Sequence, residues 1–410
     1  MGYIELDVAL TDEQKAVRDL SRKFAMEVVR PAGIELDKLA DPADVIAEGS
    51  VLWDVLRKFR RLDLHKLAIP KALGGMADEN DPLSSVLMAE ELAYGDVGVA
   101  AALLVSNFTF TFAAMSDDQE IQRWARDYCE DTEGKVLGCW AITEPDHGSD
   151  WWFGAEPEFG DPKLAPSLRA ARKGDEYILN GQKSAWVSNG TIATHALLNV
   201  SLDASKGMQG TGIALLPLDL PGVSSGKPLN KLGLRGLIQG EIIFEDVRIP
   251  RNYMVVDDHA MATTMIEATL NYGNMGVGMV FTGLAQAALD EAVAYAKQRV
   301  QGGVPIFEHN NVRLKLFNMF TLVETSRAYL RRIARYNAAN VPMGSTQHAR
   351  SLKVFSTETA FKVASDAVQI FGGSGLSKEY LIEKLFRDAR AGLIADGDNE
   401  ALALVGASYL

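Results

Sequence analysis

Lys135-Val136-Leu137-Gly138-Cys139-Trp140-Ala141-Ile142-Thr143-Glu144-Pro145-Asp146-His147-Gly148-Ser149-Asp150 is where the texture of this chain changes. Before it, apolar residues recur at helical spacing. Within it, Lys135 to Thr143 reads as a strand, and the remainder is a Gly/Pro loop rich in hydroxyls and backbone N–H groups. Such a loop can hydrogen-bond a flat heterocycle and its pyrophosphate. Taken alone, it is no more than a Ser/Asp-rich strand end.

Upstream, Thr11-Asp12-Glu13-Gln14 has the form of a capping box, and the helix it opens is expected to stop at Pro31. Val51 to Arg61 is amphipathic, and Asp81-Pro82 opens a long apolar run through Met115. Ser116-Asp117-Asp118-Gln119 caps a further helix with Ile121, Trp124 and Tyr128 on one face. Downstream, Tyr177-Ile178-Leu179 runs into Asn180-Gly181, a hairpin signal. Ala196 to Val200, Gly212 to Leu218 and Glu241 to Val247 are short β-like runs. From about His259 the helical period returns, with Val312, Leu316, Met319, Phe320 and Val323 as one stripe and a break at Gly344-Ser345. The order is helices, then β, then helices: an α+β chain with expected domains at 1–134, 135–255 and 256–410.

Bulk properties narrow the function. The 410 residues are 47% hydrophobic and 23% charged, which suits a chain with a large core. The net charge of -13, without a basic stripe, argues against a nucleic-acid reader. No apolar run reads as a bilayer span, and Met1-Gly2-Tyr3-Ile4-Glu5 lacks the order of a signal peptide. The two cysteines, Cys129 and Cys139, form neither a metal spacing nor a disulfide framework, so no metal site and a reducing cytoplasm are expected.

Further motifs are weak one at a time. Gly181-Gln182-Lys183-Ser184-Ala185-Trp186-Val187-Ser188-Asn189-Gly190 sets an aromatic beside a hydroxyl, and a buried core tryptophan explains it equally well. Lys231-Leu232-Gly233-Leu234-Arg235 is a basic turn before a strand. Gln369-Ile370-Phe371-Gly372-Gly373-Ser374-Gly375 permits close backbone approach, or is a plain helix C-cap. Arg387-Asp388-Ala389-Arg390 and Ala395-Asp396-Gly397-Asp398 follow. Their order and spacing together are distinctive. The whole chain resembles the acyl-CoA dehydrogenase family, whose "TEP…GSD", "NGxK…W-[IV]-[TS]-NG", "K-x-G-x-R", "QxxGGxG" and "RDAR" patterns stand at these positions.

The resemblance implies an N-terminal helical domain, a middle β-barrel-like domain and a C-terminal four-helix bundle, with FAD between the last two. Trp140, Ile142 and Thr143 match positions lining the isoalloxazine. Trp186 and Ser188 match the aromatic and hydroxyl near flavin N5, and Ser149 a residue near the pyrophosphate. Asp398 joins this cofactor set. Arg299, Gln369, Gly372 and Gly373 match residues that grip the FAD of a neighbouring subunit, implying a homotetramer or at least a dimer. The expected reaction removes an α-proton and a β-hydride from a CoA thioester and passes the electrons to an electron-transfer flavoprotein or another acceptor. Asp396 stands where the family's usual base is glutamate, which withdraws the carboxylate by about one ångström, a displacement worth roughly 10²-fold in rate unless the substrate compensates. Leu270 to Asn274, where some members carry the base instead, has no acid.

Other departures are Gly302 for a common phenylalanine, Asn274 for an arginine, the extra residue at Ser184-Ala185, and a longer Trp151–Lys173 segment with paired tryptophans. They point to an unusual, cyclic or bulkier, acyl group. Asp96 is a candidate second carboxylate for 1,4-dehydrogenation; its plainer reading is a helix cap. A non-redox lyase on a structural flavin, an acyl-CoA oxidase and a catalytically silent FAD- and CoA-binding protein are the competing readings. Acyl length, ring content and electron acceptor are not fixed by the sequence.

Overall fold

A computed structural model describes residues 5–78, 81–341 and 343–410. Met1 to Ile4, where a signal peptide was sought, lie outside the described residues. The N-terminal third is helical: α1 (Asp12–Phe24), α2 (Arg30–Asp37), α3 (Val51–Arg61), α4 (Ser84–Gly95), α5 (Val97–Leu104), α6 (Ser106–Met115) and α7 (Gln119–Glu130). The Thr11 capping box forms as read, with Thr11 Oγ1 accepting from the Gln14 N–H. Pro31 does not stop the chain. A π-turn over Ala25–Val29 leads directly into α2, and Pro31 falls in its first turn, where a missing N–H costs little.

The middle third is one curled sheet. Its strands are β1 (Gly138–Ala141), β2 (Arg169–Lys173), β3 (Glu176–Lys183), β4 (His195–Ser201), β5 (Thr211–Pro217), β6 (Val223–Ser225) and β7 (Ile242–Pro250), in the order β1-β4-β2-β3-β7-β6 with β5 on β4. β1 runs parallel to β4. The hairpin expected at Asn180-Gly181 is absent from that position. β3 runs straight through, and the turn lies between Lys173 and Glu176. Asn180-Gly181 is instead a bulge against β7, where the register shifts and the Asn180 amide pairs with Asp246.

After β7 come α8 (His259–Gln298), the short pair β8 (Val300–Gln301) and β9 (Val304–Pro305), then α9 (Asn310–Ala338), α10 (Thr346–Phe371), α11 (Leu381–Gly392) and α12 (Asn399–Ala407). α8 to α11 form the bundle. Leu316, Met319 and Val323 face its interior, whereas Phe320, read into the same stripe, is 48% exposed beside Phe317 and Leu314. One apolar core joins the N-terminal helices to this bundle, and a second fills the sheet against α6 and α7. Two helical stretches, Val97–Met115 and His259–Gln298, are after all long and apolar enough to cross a membrane; most of each is buried in protein. Both cysteines are buried and free. The seam between sheet and bundle brings the end of β1 to the middle of α8.

Candidate active site

Gly273 lies at the middle of α8 and is buried. A Cβ placed on it would sit 3.4 Å from Trp140 Cζ3, 3.6 Å from Asp396 Oδ2 and 3.8 Å from Phe108 Cζ. Three distant segments therefore aim a carboxylate and two aromatic edges at one bare patch of helix. Trp140 stacks on Phe108 with centroids 5.1 Å apart, and its Nε1 donates to Asn199 Oδ1 at 3.1 Å, which fixes the ring.

Asp396 follows α11 in the left-handed region, with φ of 48°, and Gly397 after it has φ of 100°. Protein atoms crowd the carboxyl, and this desolvation pushes its pKa up, with Lys353 pulling against it. Part of the residue's surface nonetheless stays exposed to solvent. The loop is tied to two helices, α8 and α10. Asn274 Nδ2 donates to the Asp396 carbonyl at 2.9 Å, and Trp152 Nε1 holds Asn274 Oδ1 at 3.3 Å. Lys353 Nζ donates to the Gly397 carbonyl at 2.5 Å and to Asn399 Oδ1 at 2.7 Å.

The strand-end loop is pinned by a buried ion pair. Lys183 Nζ donates to the Ile142 carbonyl at 3.1 Å and to Glu144 Oε1 at 2.7 Å. Burial pushes Glu144 up, but Lys183 and the Ser167 N–H and hydroxyl outweigh it and hold the carboxyl below its ordinary value. Ile142 is buried; Thr143 Oγ1 accepts from Ser184 Oγ at 3.1 Å. Trp186, two residues on, is 59% exposed, against the reading of it as a core tryptophan. Gln239 Nε2 donates to the Trp186 carbonyl and to Ser188 Oγ, leaving the Ser188 proton free to donate elsewhere.

Two predicted residues have other work. Asp96 is committed to neighbours other than Asp396, Trp140 and Gly273. Its Oδ1 caps α5 through the Val99 N–H at 2.9 Å, and its Oδ2 pairs with buried Lys384 against Gly33. It stands as a helix cap in a buried ion cluster, the plainer of its two readings. Asp398 spends its carboxylate on the first N–H groups of α12, while its own N–H donates to Ser149 Oγ at 3.0 Å. It thereby joins the Asp396 loop to the strand-end loop. Arg299, Gln369, Gly372 and Gly373 lie on the exposed surface of the bundle, away from this convergence in sequence and facing outward.

The residues present fit a flavin dinucleotide. Trp140, Thr143, Trp186 and Ser188 offer ring walls and hydroxyls, and an indole as exposed as Trp186 is a surface that a ligand would cover. A Cβ at Gly148, Gly372 or Gly373 would meet nothing within 4 Å, so backbone there is open to close approach. No group of three or more His, Cys, Asp or Glu placed to hold a metal occurs among the described residues.

A carboxylate raised by desolvation, two aromatic edges beside it, and a glycine-containing strand-end loop with open backbone are the elements of a flavin-dependent dehydrogenase site. Comparison with known proteins agrees. Residues 11–131, 139–247 and 263–409 match the N-terminal, middle and C-terminal domains of acyl-CoA dehydrogenase. The mitochondrial short-chain specific acyl-CoA dehydrogenase of Rattus norvegicus is 30% identical over 405 residues, 98% of this chain and 91% of that one. A subunit of the caffeyl-CoA reductase-Etf complex of Acetobacterium woodii is 29% identical over 402 residues, 96% of this chain and 97% of that one. The crystal structure of butyryl-CoA dehydrogenase from Megasphaera elsdenii superposes with a TM-score of 0.85 at 28% identity, covering 98% of this chain and 99% of that one. The chain belongs to the acyl-CoA dehydrogenase family, FAD-dependent enzymes that oxidise acyl-CoA thioesters.

Phe108, Gly273 and Lys353 carried no motif signal, and Trp152 and Asn274 stood out in the sequence only as departures from the family pattern.

Proposed function

We propose that this chain oxidises a compact, branched or cyclic acyl-CoA to the enoyl-CoA with Asp396 as the base. The observation that carries the proposal is the convergence of Asp396 Oδ2, Trp140 and Phe108 on Gly273. A thioester α-carbon seated over Gly273 would meet the carboxylate on one side and aromatic walls on the other. The α-proton passes to Asp396, whose raised pKa makes it a stronger base than an ordinary aspartate. Bound FAD would supply the two-electron acceptor for the departing β-hydride. Trp140, Thr143, Trp186 and Ser188 would hold its ring, and the open backbone at Gly148 would face its phosphates.

The short aspartate and the bare helix at Gly273 support the choice of substrate. A side chain at residue 273 would stand where substrate bulk can go instead, and a bulkier acyl group can carry its acidic C–H toward the shorter carboxylate. Electrons leave to an electron-transfer flavoprotein or an equivalent acceptor, as the name of the Acetobacterium relative implies for that protein. Arg299, Gln369, Gly372 and Gly373 reach the cofactor of a second copy in a homotetramer.

The test is anaerobic bleaching of the bound flavin by a panel of straight-chain, branched and cyclic acyl-CoAs, with products identified by mass. Fastest bleaching by a branched or cyclic member, lost in Asp396→Asn, is expected. Bleaching that persists in Asp396→Asn removes Asp396 as the base. A panel led by straight chains removes the substrate assignment. Conversion without bleaching would favour the lyase.

A further inference from the structure

We propose that Lys353 is the positioning residue of the base loop: it fixes the backbone immediately after Asp396 and brings a positive charge to that carboxylate. The inference rests on Asp396 being the base. Lys353 projects from α10 and is fully buried. Its ammonium donates to the Gly397 carbonyl at 2.5 Å and to Asn399 Oδ1 at 2.7 Å, and Asn399 Nδ2 is held in turn by Thr357 Oγ1 at 3.1 Å. The lysine therefore grips the two residues that bracket Asp398, while Asn274 holds the carbonyl of Asp396 itself.

The loop needs such a grip. Asp396 has φ of 48° and Gly397 φ of 100°, a conformation that an aspartate adopts at a cost and keeps only where its surroundings impose it. A buried ammonium is itself costly, and here burial lowers Lys353 to about 8. A neutral hydrogen-bond donor would hold the carbonyl without that cost. The charge is useful only toward an anion, and the charged groups facing Lys353 are Asp396, Asp398 and, from its own helix, Glu358. Asp398 is engaged with the first turn of α12. Lys353 is in turn the charge that works against the desolvation of Asp396, while Tyr272, beside Gly273 on α8, is kept neutral by burial. Phe108 and Trp140 close the remaining walls without charge.

The sign follows. Lys353 favours the ionised form of Asp396, so removing it raises the pH at which the base becomes available. In FAD-loaded enzyme, Lys353→Met, assayed with the CoA thioester that bleaches the native flavin fastest, is expected to move the acid limb of kcat/KM up by about one pH unit. We expect kcat to fall roughly tenfold from the loosened loop, with KM and FAD content nearly unchanged. Lys353→Arg, which retains the charge, should keep the native limb. A Lys353→Met limb that superimposes on the native one overturns the inference. Asp396→Asn, run alongside, separates the two claims: if it turns over normally the base assignment fails, and if it is dead while Lys353→Met titrates as native only the Lys353 role fails. Should Lys353→Met not fold, Asn399→Ala removes one of the two acceptors. Lower kcat at unchanged KM then supports the grip, and native kcat overturns it.

Discussion

Replacing Lys384 by methionine isolates the buried cluster that holds Asp96. Lys384 Nζ lies 2.6 Å from Asp388 Oδ2 and is hydrogen-bonded to Asp96 Oδ2; the two carboxylates are 0% and 3% exposed. One cation thus serves two anions. The N–H groups of Leu234 and Val99, at 2.6 and 2.9 Å, disperse the remaining charge. Methionine keeps most of the stem volume and removes only the cation. Taking away one partner of a buried pair costs about 3–5 kcal/mol, roughly a hundred- to several-thousand-fold in the folding equilibrium. The penalty depends on pH. Burial already pushes Asp388 up against the pull of Lys384, so without the lysine Asp388 titrates still higher in the folded chain than in the unfolded one. In that window the folded state binds more protons, and stability falls as pH rises. Urea unfolding followed by tryptophan fluorescence should give a small loss near about pH 5 and the full loss near about pH 8. Asp96→Asn should cost no more than about 1.5 kcal/mol, because asparagine caps α5 equally well and leaves the Lys384–Asp388 pair intact. A Lys384→Met midpoint equal to the native one at the higher pH, or a penalty that shrinks as pH rises, would refute this account.

Three further outcomes are expected. Gly273→Val puts side-chain atoms into the space facing Trp140, Asp396 and Phe108, and KM for cyclic or branched thioesters should rise at least roughly tenfold while butyryl-CoA suffers less; equal losses would mean that this space is not the acyl pocket. Gly397→Ala sets a Cβ at φ of 100° and 3.1 Å from Leu402 and Trp152. It should cost about 1–2 kcal/mol and reduce kcat with FAD retained, and native kcat would show that loop geometry does not limit the chemistry. Glu144→Gln strands the fully buried Lys183 at about 3–5 kcal/mol. Burial depresses the lysine, so the folded state sheds its proton first and the deficit in thermal stability should narrow as pH rises; a deficit that widens contradicts the sign.

What could be read from sequence was local. The Thr11 capping box, the α3 limits and the Asp118 cap of α7 need only a turn or two of chain to be recognised, and each forms. Asn180-Gly181 misled because its chemistry suits a tight turn and a β-bulge alike. The pairing of β3 with β7, more than sixty residues away, selects the bulge. Pro31 misled because the π-turn before it is not written in any residue preference. Asp96 looked available because its partner, Lys384, is 288 residues distant.

The same reasoning explains why the proposed base could be named from a motif and its geometry could not. Asp396-Gly397 is a left-handed hook that four residues of sequence cannot hold by themselves. It is imposed by contacts spanning long stretches of chain: Asn274 from 122 residues away, Lys353 from 44, and Ser149 through the Asp398 N–H from 249. Trp152 reaches Asn274 across another 122 residues. The tethers come from α8, α10 and the loop that follows β1, so the carboxylate reaches its place over Gly273 only when all three have docked. Loss of any one tether should leave a folded, flavin-competent protein whose base is misplaced. That is why the residues departing from the family pattern, Trp152 and Asn274, matter together: they form one clamp on the backbone that carries the shortened acid.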